Sequence, residues 1–196
     1  MAFVLASASP RRKELLEMLG VKDLVVIPAA GKEICPENAG PAETVKALAL
    51  AKAQEVCARY EGGSSSQEPD VVLAADTIVW HEGRILGKPH SREEGFAMLR
   101  SLSGKTHEVY TGVAVIRGEQ IEQEAVCSRV TFRELSDREI HAYLDTGEPM
   151  DKAGAYGAQG IGALLVSSIE GDFYNVMGLP VCEMGLMLKK TGVELL

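Results

Sequence analysis

Ala2-Phe3-Val4-Leu5-Ala6-Ser7-Ala8-Ser9-Pro10-Arg11-Arg12 opens the chain with an apolar run, a small polar loop and a proline followed by two guanidinium side chains. A short apolar run bounded by turn residues reads as a buried strand over residues 2–6. Ser9 suits a helix N-cap, Pro10 fits a first helical turn where its missing N–H has no partner to lose, and Gly20 suits the helix end. The chain therefore begins strand, tight loop, helix, which is the unit from which α/β domains are built.

Outward from this unit the pattern continues. Residues 24–29 read as a second strand, and residues 41–60 have the length and Ala/Leu/Val content of a long helix. Residues 61–69, with Gly62, Gly63 and Ser64 to Ser66, read as a flexible polar loop. Residues 70–75 are a central-strand candidate ending at Asp76, and residues 78–80 with 84–86 suggest a hairpin around Gly83. Ser91 with Glu94 and Ser136 with Glu139 are capping boxes, opening helices that stop near Gly104 and Gly147. Residues 109–116 and 125–132 read as long paired strands joined around Gly118. The glycine-dense stretch 154–162 precedes an apolar strand at 163–166, and Pro180 starts a last helix ending near Lys190. Helices alternating with strands and hairpins imply an α/β fold with a mixed sheet flanked by helices, in one domain over residues 1–196.

Composition removes several function classes. In 196 residues, 46% hydrophobic and 24% charged content match ordinary globular usage and exclude collagenous, coiled-coil or wholly disordered chains. No apolar run approaches the roughly 18 residues of a membrane helix, and no basic start precedes the first apolar stretch, so neither a span nor a secretion signal is expected. Cys35, Cys57, Cys127 and Cys182 form no C-x-x-C pair, which fits reduced thiols better than a zinc knuckle. A net charge of −8 opposes nonspecific binding of nucleic acid polymers and leaves room for a small anion where cations cluster.

Such clusters exist. Ser7, Ser9, Arg11 and Arg12 sit where a buried strand meets a helix N-terminus, whose unpaired N–H groups and dipole favour an anion such as phosphate. The same residues also read as an ordinary capped helix with a solvated Arg pair. In the helix from Pro41 the apolar stripe runs Val45, Leu48, Ala49, Ala53, Val56, and at about 100° per residue Lys52 falls inside it. It either snorkels to water or faces an anion. Asp76 follows five apolar residues, so its carboxylate emerges at the C-terminal edge of a buried strand, where open α/β sheets bind ligands. There it suits a divalent metal or a proton from water, or simply caps the next turn. Glu33 is a second candidate carboxylate, and Pro89 holds the backbone of Lys88 extended. Gln159, in the loop from Asp151 to Gly160, offers both a donor and an acceptor to the edge of a base. Familiar alternatives fail. Leu99 stands where a P-loop ending at Lys105-Thr106 needs glycine, and His81, His90, His107 and His141 lack metal-ligand spacing.

Together, Leu5-Ala6-Ser7-Ala8-Ser9-Pro10-Arg11-Arg12, Ala75-Asp76-Thr77-Ile78-Val79, Gly87-Lys88-Pro89, Leu102-Ser103-Gly104, Asp151-Lys152-Ala153-Gly154-Ala155-Tyr156-Gly157 and Gly171-Asp172-Phe173-Tyr174-Asn175-Val176-Met177-Gly178-Leu179-Pro180 resemble the Maf family of nucleoside triphosphate pyrophosphatases. The resemblance implies an elongated, ITPase-like α/β fold, often homodimeric, in a cytoplasmic enzyme that binds a nucleoside triphosphate and a divalent cation, Mg²⁺ or Mn²⁺. It implies Asp76 as proton acceptor, with Lys52, Lys88 and Arg12 as further catalytic residues around the phosphates. Ser7, Arg11, Thr77 and Gln159 would bind and discriminate substrate, and Glu33 with Asp76 would hold the metal. The form Ala153-Gly154-Ala155-Tyr156-Gly157-Ala158-Gln159-Gly160 is similar to the branch acting on dTTP and UTP, whereas a branch acting on 7-methyl-GTP carries Ser-Phe and Glu there. Gly87 stands where many members carry an acidic residue. The family is also discussed as an inhibitor of septum formation, so a competing reading is a nucleotide-sensing regulatory protein.

Overall fold

The computed structural model describes residues 2–60 and 71–196, so the polar loop expected at 61–69 lies outside the described residues. The opening apolar run forms β1 (Phe3–Leu5), buried along its length, and Pro10 starts α1 (Pro10–Met18) as expected. β1 pairs in parallel with β2 (Val25–Val26) and with β3 (Val71–His81). β2 is shorter than the sequence suggests because both valines are largely exposed, leaving little apolar burial to extend it. α2 (Pro41–Arg59) is the long helix. β4 (Arg84–Leu86) closes an antiparallel hairpin on β3 through Glu82 and Gly83, both at positive φ. α3 (Arg92–Leu102), β5 (Thr106–Arg117), β6 (Gln120–Phe132) and α4 (Asp137–Asp145) follow. β7 (Val166–Glu170), α5 (Phe173–Met177) and α6 (Val181–Lys190) complete the chain. The sheet is mixed, in the order β2-β1-β3-β5-β6-β7, with β4 on β3.

Three expectations need correction. The central strand does not stop at Asp76 but runs on to His81, because the strand and the first arm of the hairpin are one continuous element. The apolar run at 163–166 is mostly a 3₁₀ segment, Gly160–Leu165, since the Glu148 carboxylate takes the N–H groups of Ile161 and Gly162 as a helix cap does. The short α5 was missed, although Asp172, whose carboxylate accepts from the Tyr174 N–H, marks its start. The two capping boxes also differ. Ser136 and Glu139 bond reciprocally, whereas Glu94 turns its carboxylate to the His90 N–H while its own N–H goes to Ser91.

By packing, the chain divides into two units, one of Met1–Asp76, Thr111–Val126 and Gly178–Leu196, the other of Thr77–Tyr110 and Cys127–Met177. In the first, Val4, Ala6, Val72, Ala74 and Ala114 on the strands pack against Ala49, Ala53 and Val56 of α2. Small side chains let helix and sheet approach closely, most of all at Gly112, where a Cβ would stand 2.2 Å from the Val45 carbonyl oxygen. In the second unit, Leu99 and Leu102 of α3 and Ile140, Tyr143 and Leu144 of α4 bury against Val109, Val130 and Phe132.

That second core also encloses His107, whose Nε2 lies 2.7 Å from the Tyr156 hydroxyl and whose ring meets Phe132 edge-on. Burial, and secondarily His81, pushes its pKa down to about 3. The unfolded chain, with an ordinary value near 6.5, therefore binds a proton that the folded chain refuses. Stability from this site is complete above about pH 6.5 and is lost as the pH falls toward about 3. His107→Gln should make the dependence of unfolding free energy on pH between about 6 and 4 shallower by close to one proton, about 1.4 kcal/mol per pH unit. Urea titrations at stepped pH measure this, and parallel profiles for the two proteins would contradict it.

Candidate active site

Along β3 successive side chains alternate between faces. Val72 and Ala74 lie on the face that α2 covers, so Asp76 continues that face, while Thr77 points to the other. The parallel partner β1 pairs only as far as Leu5 with Leu73, followed by Ala6 N–H to Leu73 C=O at 2.8 Å. Asp76 is thus at an edge after all: its own strand goes on, but its neighbour has ended. The residue is 7% exposed.

Lys52 reaches this carboxylate from α2. Its Nζ lies 2.5 Å from Asp76 Oδ1 and 2.6 Å from Glu33 Oε1, so the ammonium ends between two carboxylates rather than in water. From its position inside the apolar stripe the side chain therefore ends on an anionic pair, the second of the two expected readings. Glu33 comes from the exposed segment after β2, and α2 anchors that segment too. Glu55 accepts the Ala30 N–H at 2.8 Å and the Gly31 N–H at 2.9 Å, and pairs with Arg59. These bonds, the two from backbone first, hold its carboxyl below the usual range. Sequence reasoning missed Glu55. The available signal was its place three residues after Lys52, on the adjacent helical turn, with Arg59 four residues on.

Ser7 follows β1 directly. Its hydroxyl accepts from Arg12 Nη1 at 3.0 Å and from the Ser9 N–H at 3.2 Å, leaving its own proton as a donor. Arg12 Nε donates to the Gly178 carbonyl at 2.8 Å, which ties α1 to the segment before α6. Ser9 occupies the N-cap position but its side chain makes no capping bond. Burial lowers the Arg12 pKa to about 10, with Asp76 and Glu33 opposing and Arg11 adding to the effect, so the guanidinium stays charged at neutral pH. The first turn of α1 contains no acidic residue, and two guanidiniums stand at the positive end of its dipole. Like charges so placed are relieved by an anion.

Asp76 and Glu33 are the residues that could hold a metal. Among the described residues no group of three or more His, Cys, Asp or Glu side chains converges. Two hard carboxylates sharing one cation nevertheless fit Mg²⁺ or Mn²⁺, which commonly take one or two carboxylates and complete their octahedra with phosphate oxygens and water.

The remaining candidates belong to the second unit. Lys88 is exposed after β4, and the carbonyl of the preceding Gly87 accepts the Gly154 N–H at 3.0 Å. That bond joins the segment carrying Lys88 to the glycine loop carrying Gln159. Gly154 has φ +68°, and a Cβ there would stand 2.9 Å from Val79, so the loop backbone lies directly on β3. Gln159 is half-buried between buried Ala158 and exposed Gly160. Within the first unit, then, Ser7, Arg11, Arg12, Glu33, Lys52 and Asp76 form one charged cluster, and within the second Lys88 and Gln159 lie on adjoining segments.

Arg11, Arg12 and Lys52 thus gather around two carboxylates beside an α/β sheet, an arrangement that suits an anionic ligand. The Maf-like protein family matches residues 2–191, and the chain belongs to it. A dTTP/UTP pyrophosphatase of Bacillus cytotoxicus is 48% identical over 188 residues, covering 96% of this chain and 94% of its own. One from Moorella thermoacetica is 49% identical over 97% of this chain and 95% of its own, and one from Clostridium tetani 43% identical over the full length of both. A solved nucleoside-triphosphatase / dITP/XTP pyrophosphatase from Mycobacterium abscessus aligns with 97% of this chain and 98% of its own at 14% identity, with a TM-score of 0.47, a likeness too distant to bear on residue roles.

The double role of Arg12 has a measurable consequence. Arg12→Ala strips the Gly178 carbonyl and the Ser7 hydroxyl of a charged donor and should lower stability by about 1–3 kcal/mol. Lys13→Ala, which loses only an exposed pair with Glu17, should change it by less than about 0.5 kcal/mol. Equal effects in urea unfolding would contradict the assignment.

Proposed function

We propose that the protein hydrolyses nucleoside triphosphates, dTTP and UTP foremost, between the α- and β-phosphates, giving the nucleoside monophosphate and pyrophosphate. The observation that carries this reading is the Lys52 ammonium set between Asp76 and Glu33, beside Arg12 and Ser7. Names of relatives at 43–49% identity over nearly the whole chain support the choice of nucleotide.

The chain's own groups divide the work. Asp76 accepts the proton of the attacking water as its oxygen bonds to the α-phosphorus and the bond to the bridging oxygen breaks toward pyrophosphate. Lys52 holds Asp76 oriented until phosphate oxygens compete for its ammonium. Arg11 and Arg12 offer fixed positive charge to the triphosphate, and Ser7 offers a hydroxyl proton. A divalent cation on Asp76 and Glu33 would neutralise charge on the phosphate oxygens. Gln159, with Thr77, reads the base. Uracil and thymine present an N3–H flanked by carbonyls, which a carboxamide can match, while cytosine presents an acceptor and an amino group and leaves polar atoms unpaired, at about 1–3 kcal/mol each. We read the protein as a cytoplasmic homodimer working on free nucleotides.

A turnover assay with dTTP and Mg²⁺ or Mn²⁺ tests the reaction. Pyrophosphate is the expected product, orthophosphate would overturn the scheme, and tight binding without turnover would favour a nucleotide sensor. Asp76→Asn should lower kcat by about 10²- to 10⁴-fold while remaining folded. Lys52→Ala should impair activity far more than Lys46→Ala, with melting curves separating catalysis from stability. dTTP and UTP should exceed CTP and GTP in kcat/KM, and Gln159→Glu should alter those ratios.

A further inference from the structure

The glycine loop is held from underneath by two residues that the reaction does not use. The Tyr143 hydroxyl accepts the Gly157 N–H at 3.1 Å and donates to Glu148 Oε1 at 2.8 Å. Glu148 Oε1 also accepts the Gly162 N–H at 3.0 Å, and its Oε2 accepts the Ile161 N–H at 3.0 Å. The fit leaves no slack, since a Cβ on Gly160 would stand 2.8 Å from Glu148 Oε2 and one on Gly162 would stand 2.5 Å from the Tyr143 oxygen. Lys152, its side chain 11% exposed, fixes the base of the arrangement by donating to the Glu148 carbonyl and to Asp151.

Protonation states suit these roles. Burial chiefly pushes the Tyr143 hydroxyl up, so it keeps the proton it donates. Burial pulls Glu148 upward as well, but the bonds from Tyr143, Gly162 and Ile161 and the charge of Lys152 outweigh it and hold the carboxyl below its ordinary value.

Gln159 stands between Gly157, bound on one flank, and Ile161 and Gly162, bound on the other. We infer that Tyr143 and Glu148 are positioning residues for base selection, clamping the backbone on both sides of Gln159 so that its carboxamide meets the base at a fixed angle. The inference rests on the reading of Gln159 as the base-selecting residue. Neither clamp residue need touch the nucleotide. Freed, the loop would present the carboxamide over a range of angles and the preference for a matching base would fade.

The test measures kcat and KM for dTTP and CTP in the wild type, Tyr143→Phe, Glu148→Gln and Gln159→Ala. Loss of one or two of these hydrogen bonds should cut the dTTP to CTP ratio of kcat/KM by about fivefold or more. The loss should fall on the KM for dTTP, with kcat and the CTP constants nearly unchanged. Glu148→Gln keeps the side-chain shape and one acceptor oxygen, so it stays informative if Tyr143→Phe folds poorly. Equal losses for both nucleotides, with the ratio preserved, would reduce the clamp to a structural brace and overturn the inference. A preserved ratio in Gln159→Ala would instead overturn the reading of Gln159, and the inference with it.

Discussion

One ammonium ion facing two carboxylates organises the first unit. Lys52 can stand between Asp76 and Glu33 only because α2 lies close on the sheet, packed through alanines and valines, with Gly112 of β5 at the tightest approach. The same helix, one turn on, uses Glu55 to fix the segment that delivers Glu33. Removing the lysine charge would leave two carboxylates facing each other in a partly desolvated place, which is costly, whereas a dication is of the right sign to take the ammonium's place between them.

The second unit contributes by a different physics. Its polar groups are mostly spent on backbone: Tyr143 and Glu148 on the glycine loop, Gly87 on Gly154, Ser91 and Ser136 on helix starts. The result is a loop of residues with little or no side chain whose shape is nonetheless fixed, because each close approach is bonded.

Much of this architecture is legible in the sequence. The β1–α1 opening, α2, the hairpin at Gly83 and the Ser136 capping box rest on local chemistry, and local chemistry is written in adjacent residues. Lys52 stood out because a charge inside an apolar stripe conflicts with its surroundings. What did not show was whatever depends on distant partners. The run at 163–166 reads as a strand only while Glu148, more than ten residues back, is left out, since its carboxylate takes the N–H groups of Ile161 and Gly162 just before the run. Asp76 looked like a strand end, when the strand that ends is the neighbouring β1. Glu55 gives no sign of its backbone bonds in the sequence around it because those partners lie more than 20 residues away.

Gly112 leads further. The backbone of β5 touches the backbone of α2 there, at Val45, and Lys52 sits seven residues beyond, about 10 Å along the helix axis. A methyl group at 112 would lift the near end of a rigid rod whose far part carries the ammonium. Extra stability elsewhere in the molecule could rescue the fold of such a variant but could not return the lysine to its carboxylates. At this one position, robustness gained through evolution brings no new freedom to vary.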